Sequence, residues 1–484
     1  MAITFDAIPA LRTPGTYIEF NNELAGATST EFNVLIIGQR LTTGTVAEGI
    51  PTRVTDPGKA AEFFGVGSQL HRMCSAFLAA NRSIAMTVIA LDDDTEGAKA
   101  AGTITVDSVA TKAGTLYVYI GGQKVSVAVA TDDTVSDIAA NIAAKINADT
   151  TLPVTAAAAS AVVTITARHK GESFNGLPLH TNYHGQPMPD GLGLTIAQMT
   201  GGTANPDATV ALDAMGDTWY NWLIMPYTDS ANISALTSVF NDLWGPLRQR
   251  GCRAFAAYDG TFGESAAYGA ALNSPHLSVM GANGSPTPCY EIAAIDGAIA
   301  CFYLAIDPAR QLQTLELTGM LAPAVADRWT REERDMLLYD GIATFTVSAD
   351  GTCRIDRQIT TYQVNASDLP DASYLDITTP ETLERMRRDE RAMIAQKYPR
   401  HKLADDGTVF GAGQTIITPV LLKADLLAQY RVFEAKGWVE DFEGYKETLI
   451  VERDIDDRNR LNWLGNPNLV NQARVFAGKT QFIL

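Results

Sequence analysis

Phe32-Asn-Val-Leu-Ile-Ile-Gly38 is a short apolar run closed by a glycine, the pattern of a strand buried on both faces. Downstream, Asp56-Pro57 offers an N-cap followed by proline at the first helical position, predicting a helix that runs to Phe64. Gly65-Val-Gly67 breaks that helix. A second helix is expected over about Ser68 to Asn81, and Ile84-Ala-Met-Thr-Val-Ile-Ala-Leu91 reads as another strand. This β-α-α-β opening sets the class of the fold as α/β.

The texture changes at Asp92-Asp-Asp-Thr-Glu-Gly97, which reads as a solvated linker. From Gly102 to about Arg168 the chain is rich in Val, Ile, Thr and Ala. Leu116–Ile120 and Lys124–Val129 flank Gly121-Gly122, a two-residue hairpin turn. Thr134-Val-Ser-Asp137 resembles a capping box, and Ile138, Ile142 and Ile146 follow at helical spacing. Two strands near Leu152–Ala156 and Ala161–Ala167 precede the Gly/Pro-rich stretch Gly185–Gly202. The segment reads as a β-rich inserted domain.

Helix and strand then alternate again: helix Pro206–Met215, strand Trp219–Pro226, helix Ser230–Arg250, strand Arg253–Tyr258, helix Gly263–Leu272, strand Leu277–Gly281 and a helix over about Tyr290 to Leu304. A helix Pro380–Tyr398 opens an α+β region that continues with helix Val420–Lys436 and strand Glu447–Arg453. The expected organisation is α/β plus α+β and multidomain. It has an N-terminal arm (1–29), a split α/β middle domain (30–97 and 203–365), a β-rich insertion (98–202), an α+β C-terminal domain (366–470) and a C-terminal arm (471–484).

Both ends look adhesive. Val475, Ala477, Lys479, Gln481 and Ile483 alternate with Arg474, Phe476, Gly478, Thr480, Phe482 and Leu484, a strand pattern with Phe476 and Phe482 on one side. Such a strand is a template for another chain unless its own domain covers it. Near the other end, Pro9, Pro14 and Gly15 punctuate a segment that closes on the strand-like Thr16-Tyr17-Ile18-Glu19-Phe20.

Composition narrows the function. The 484 residues suffice for roughly two to four domains. A net charge of −18, from 55 acids against 37 bases, repels phosphate backbones, so no nucleic-acid partner is expected. The five cysteines are widely spaced and odd in number, which predicts reduced thiols rather than a disulfide framework. Met1–Asp6 has neither a basic nor an apolar leader region, and no uninterrupted apolar run reaches the length of a bilayer span. No secretory signal and no membrane insertion are expected.

Motifs of chemistry fail one after another. His180 and His184 have zinc-helix spacing but sit between Pro178 and Gly185, with no third ligand nearby. Asp92–Gly97 starts like a calcium loop, yet its twelfth position is Thr103 instead of glutamate. Gly65-Val-Gly67 lacks a third glycine and follows a helix, where a dinucleotide fingerprint needs a strand. Gly263-Glu-Ser-Ala-Ala267 lacks the second glycine of a nucleophile elbow, and His276 beside Ser274 and Ser278 is adjacency without geometry. No catalytic, cofactor or metal site is expected, and no enzyme. Arg385, Arg387, Arg388 and Arg391 interleave with Glu381, Glu384, Asp389 and Glu390. They read as a solvated helix with i, i+4 ion pairs, or as a charged contact to a partner.

The chain resembles the Mu-like contractile phage tail sheath proteins. The resemblance is carried by Pro14–Glu19, Leu35–Gln39, Gly121–Val127, Leu152–Ala156 and Thr166–Gly171, most strongly by Leu337–Thr344 with Ile355–Tyr362, and by Val451–Asp454 and Asn471–Ala477. It implies a subunit of stacked rings around an inner tail tube, with terminal arms pairing with the C-terminal domains of neighbours. It also implies a middle domain of subtilisin-like fold without proteolysis, insertions on the outside, and contraction that drives the tube through the bacterial envelope. Implied partners are copies of itself, the tail tube protein, and baseplate and tail terminator proteins. The implied place is the virion tail, assembled in host cytoplasm. The intersubunit residues would be Thr16, Tyr17, Ile18, Glu19 and Phe20 at one end and Arg474, Val475, Phe476, Lys479 and Phe482 at the other. Arg385, Arg388 and Arg391 are candidate inner-tube contacts. The competing readings are an α/β hydrolase acting through Ser265 or Ser278 and a glycan-binding insertion, which the few aromatics Tyr117, Tyr119, Phe174 and Tyr183 support poorly.

Overall fold

The computed structural model describes residues 32–483. Five strands lie parallel in one sheet, in the order Leu277–Gly281, Arg253–Tyr258, Trp222–Ile224, Asn33–Gln39 and Ala85–Leu91. The short strand Thr52–Arg53 closes one edge antiparallel. These strands are mostly apolar because helices cover both faces. Val34, Ile36, Val88, Ile224 and Phe255 face helices Gln69–Ala80 and Cys289–Ile306. Leu35, Ile37, Leu223 and Ala254 face helices Thr209–Ala214, Ser230–Trp244 and Phe262–Ala270.

The expected caps form. Asp56 accepts from the Lys59 amide at 3.0 Å with Pro57 behind it, and Gly65 ends that helix at φ 90°. Cys289–Ile306 is long and apolar enough to cross a membrane by length and composition, but its residues are spent inside the core. At Gly297 a Cβ would run into Ile224, so glycine is what lets this helix lie directly on the sheet.

Between the strands Ala85–Leu91 and Trp222–Ile224, the chain builds two antiparallel sheets. One has the order Gly193–Thr200, Lys99–Ser108, Val162–Lys170, Val154–Ala159; the other Gln123–Val129, Gly114–Ile120, Leu179–Thr181. Thr134 and Asp137 form the capping box of helix Val135–Ala148, and Ile138, Ile142 and Ile146 are its fully buried stripe. Gly121 and Gly122 turn the hairpin at φ 52° and 76°, the left-handed pair that a two-residue loop demands. The strand Gly193–Thr200 was not expected. Its alternation is real, but it lies inside a Gly/Pro-rich stretch that reads as loop.

These sheets do not hang from a free linker. Asp93 of the presumed solvated linker accepts from Gln39 Nε2 (2.8 Å) and from the Lys170 amide (3.0 Å), and pairs with the fully buried His169 ring (2.8 Å). At the opposite end the hairpin tip meets the central body, where a Cβ on Gly122 would lie 2.8 Å from Leu321. The β-rich sheets and the central sheet therefore share one hydrophobic core.

The C-terminal third has its own core. Leu422, Leu426, Tyr430 and Phe433 line the buried face of helix Pro419–Ala435, joined by Met386 and Met393 of helix Thr378–Lys397 and by Trp438 and Tyr445. Glu447 and Thr448 belong to helix Phe442–Thr448, so the strand expected from Glu447 begins only at Ile450.

Candidate functional site

Thr16, Tyr17, Ile18, Glu19 and Phe20 lie outside the described residues. At the other end, the alternating segment after Arg474 forms no strand up to Ile483. Val475, Phe476, Phe482 and Ile483 are between 81% and 99% exposed. The reason is elementary: a strand exists only against a partner, and none of the described residues pairs with this segment. Four large apolar side chains are thus left in water along one segment, an unusual exposure for a folded chain.

Arg474 behaves differently. Its Nη2 donates to Asp376 Oδ1 at 2.8 Å, and its side chain is mostly buried in its own subunit. Arg474 is thus an anchor at the root of the tail, whereas Phe476, Lys479 and Phe482 lie beyond the anchored part.

A short sheet of only two strands lies in the C-terminal part of the same chain. Ile450–Arg453 and Leu461–Leu464 form a two-stranded antiparallel hairpin, with Ile450 opposite Leu464 and Val451 opposite Trp463. Asp454 fixes its turn, accepting from the amides of Asp456 and Asp457 and from Asn462 Nδ2. Arg453 and Arg458 both reach Asp405 at 3.0 Å, holding the hairpin to the body. Ile450, Trp463 and Leu464 remain about half exposed, at 54%, 45% and 59%. An isolated two-stranded ribbon is marginal, and added strands would complete its sheet. Only its first strand was legible. The signal for the second was the turn-forming run Asp454–Asn459 ahead of Leu461-Asn-Trp-Leu464.

The arginine-bearing helix is neither solvated nor a free basic face. Glu381 and Glu384 are buried, and Glu381 accepts from the Trp222 indole at 3.1 Å and lies 3.8 Å from Arg253 of the central sheet. Arg387 donates to the Trp244 carbonyl (2.7 Å) and lies over its ring. Arg385 donates to the Leu304 carbonyl and stacks over Phe32 at 4.3 Å, and Arg388 covers the same ring at 5.4 Å. Burial pulls Arg385 down to about 10. Of the three candidate tube contacts, Arg391 alone is exposed, with one donor on the Gln249 carbonyl. On helix Pro419–Ala435, Val420, Leu421 and Val432 face outward at 61%, 48% and 45% exposure.

The residues of the hydrolase reading lie in structural roles. The Ser278 hydroxyl donates to the Ile359 carbonyl and accepts from Gln358 at 2.9 Å; the Ser265 hydroxyl faces the Gly260 carbonyl. The His276 ring lies against Arg253 (3.2 Å), and burial together with that guanidinium holds it down at about 2. His180 belongs to strand Leu179–Thr181 and packs on Tyr183, as does His184. The five cysteines are free, four of them buried.

Comparison with known proteins settles the family. Residues 95–200 match the phage tail sheath protein beta-sandwich domain, 201–361 its central domain, and 370–483 the phage tail sheath C-terminal domain. The whole chain is 41% identical over 488 aligned positions to the Mu-like prophage FluMu tail sheath protein of Haemophilus influenzae, covering 100% of both. The chain belongs to the phage tail sheath family. Among solved structures, it is similar to the sheath tail protein of Desulfitobacterium hafniense, with 13% identity, TM-score 0.48 and coverage of 94% of this chain and 100% of that one. It is also similar to the anti-feeding prophage helical sheath in its contracted state, with 11% identity, TM-score 0.49 and coverage of 98% and 99%. As a sheath protein it is a structural component of a phage tail.

Proposed function

We propose that this protein is the repeating subunit of a contractile tail sheath. Its rings stack around an inner tail tube, its terminal segments lace each copy to its neighbours, and contraction drives the tube through the bacterial envelope. The observation that carries this reading is that one chain has both an apolar segment, Val475–Ile483, and a two-stranded hairpin, Ile450–Arg453 with Leu461–Leu464, that are left without further strand partners among the described residues. Added to that hairpin as a strand, the segment of a second copy would supply backbone hydrogen bonds worth roughly 0.5–1.5 kcal/mol each. Repeated over a polymer, such small terms hold the mesh while subunits reorient. Thr16–Phe20 is the proposed second donated segment.

The five parallel strands with helices on both faces support a subtilisin-like middle domain, split by the β-rich insertion at 98–202. The outward-facing Val420, Leu421 and Val432, together with the exposed Arg391, are the proposed tube-facing residues. Baseplate and terminator proteins would cap the two ends, with assembly in host cytoplasm. The test is deletion of Ala473–Leu484. The truncated protein is expected to stay a folded monomer, and negative-stain microscopy is expected to show no hollow cylinders where the full chain forms them. Cylinders of normal length from the truncation would refute strand donation by this arm.

A further inference from the structure

Resting on the arm reading above, we infer that the C-terminal segment is clamped to its own subunit up to Arg474. The part offered to a second copy of the chain is then Val475–Ile483. The contacts change abruptly at that point. Gln472 Nε2 donates to the Ala309 carbonyl at 3.1 Å and to the Thr378 hydroxyl, and Gln311 Nε2 reaches the Ala473 carbonyl at 3.3 Å. Arg474 donates to Asp376, which Arg357 also grips at 3.2 Å. Beyond Arg474, among the described residues, no hydrogen bond holds the segment.

Asp376 is well placed for this task. Arg357 ends the strand Cys353–Arg357 of the central body, and Thr378 begins the first helix of the C-terminal unit. The clamp therefore sits on the joint between the two bodies, and the arm leaves from there. A cleft of about 220 Å³, lined by Arg331, Arg334, Asp356 and Arg357, opens beside Val475 and marks the exit.

Two consequences follow from the geometry. Extended, the nine residues Val475–Ile483 span about 30 Å, so the edge on the neighbour that takes them is expected within about that distance of Arg474. A fixed root also lowers the ordering cost of docking, because only the free part has to be immobilised.

Trypsin reads the clamp directly in the unassembled full-length protein, since its two targets within 471–484, Arg474 and Lys479, lie at and beyond the boundary. Proteolysis of a native chain follows local opening, so the Arg474–Val475 bond is expected to be cut about tenfold more slowly than Lys479–Thr480. Asp376→Ala should bring the two rates within about threefold of each other. Gln472→Ala, which leaves the Arg357–Asp376 pair in place, should raise Arg474 cleavage in the same direction. Equal rates in the wild type overturn the inference, as does a ratio unchanged in both variants. Cylinders formed after deletion of 475–484 would sink the arm reading while leaving the trypsin ratio intact, so the two failures are distinguishable.

Discussion

The indole N–H of Trp222, in the middle of the central sheet, donates to Glu381 on the first helix of the C-terminal unit at 3.1 Å. Arg253, 1% exposed, lies 3.8 Å from the same carboxylate and donates to the Pro380 carbonyl at 2.8 Å. The two bodies of the subunit are thus joined through a buried ion pair. Removing one partner strands the other charge, so Glu381→Ala should cost about 3–5 kcal/mol. The loss should appear in denaturant unfolding as an earlier transition of the joint. A variant as stable as the wild type would mean that Arg253 is satisfied by backbone carbonyls alone.

The arm predicts the opposite signature. Phe476 and Phe482 are 88% and 81% exposed, so Phe476→Asp with Phe482→Asp should shift monomer stability by no more than about 0.5 kcal/mol. The same double variant should abolish cylinders in the microscope. Loss of monomer stability alongside loss of assembly would show that these rings pack on their own subunit.

The seating of the β-rich insertion can be tested at its hairpin tip. Gly122 has φ 76° and no room toward Leu321, so Gly122→Val combines backbone strain with a collision. It should destabilise the protein by about 1–3 kcal/mol and expose the contact between insertion and central body to hydrogen exchange. Unchanged protection there would detach the tip from the interface.

The sequence was most readable where one element carries its own pattern. The run Asn33–Gln39, the Ile138–Ile142–Ile146 stripe and the Gly121–Gly122 turn announce themselves locally, because period and φ demand are local properties. The charges of helix Thr378–Lys397 misled, since their partners Trp222, Arg253 and Trp244 come from distant strands and loops that no spacing rule connects. Asp93 misled for the same reason, its partners being Gln39 and His169. Of the candidate assembly site, the apolar alternation of 475–483 was legible, but the strand expected from it does not form within the described residues. The boundary at Arg474 was not, because it depends on Asp376, a hundred residues upstream in order of magnitude.

Asp296 supplies the pH dependence. It is fully buried on helix Cys289–Ile306, and burial pushes its carboxyl up to about 7. Oδ2 accepts from Gln358 Nε2 at 2.8 Å, Gln358 in turn donates to Ser278, and Asp296 Oδ1 and Gln358 Oε1 have no partner. Below the ordinary aspartate range both folded and unfolded chains hold the proton, so the group leaves stability unchanged. Between that range and about 7, the unfolded chain releases the proton and the folded chain keeps it. Stability therefore falls as pH rises, by up to about 1.4 kcal/mol per pH unit, and levels off above about 7. Asp296→Asn removes the ionisation and offers its amide N–H to Gln358 Oε1. The variant should be more stable than the wild type by roughly 1–3 kcal/mol at pH 8, with the advantage shrinking toward pH 4. Urea titrations of both proteins across that range measure the difference. A wild type whose stability relative to the variant does not change with pH would show that Asp296 keeps the same charge folded and unfolded.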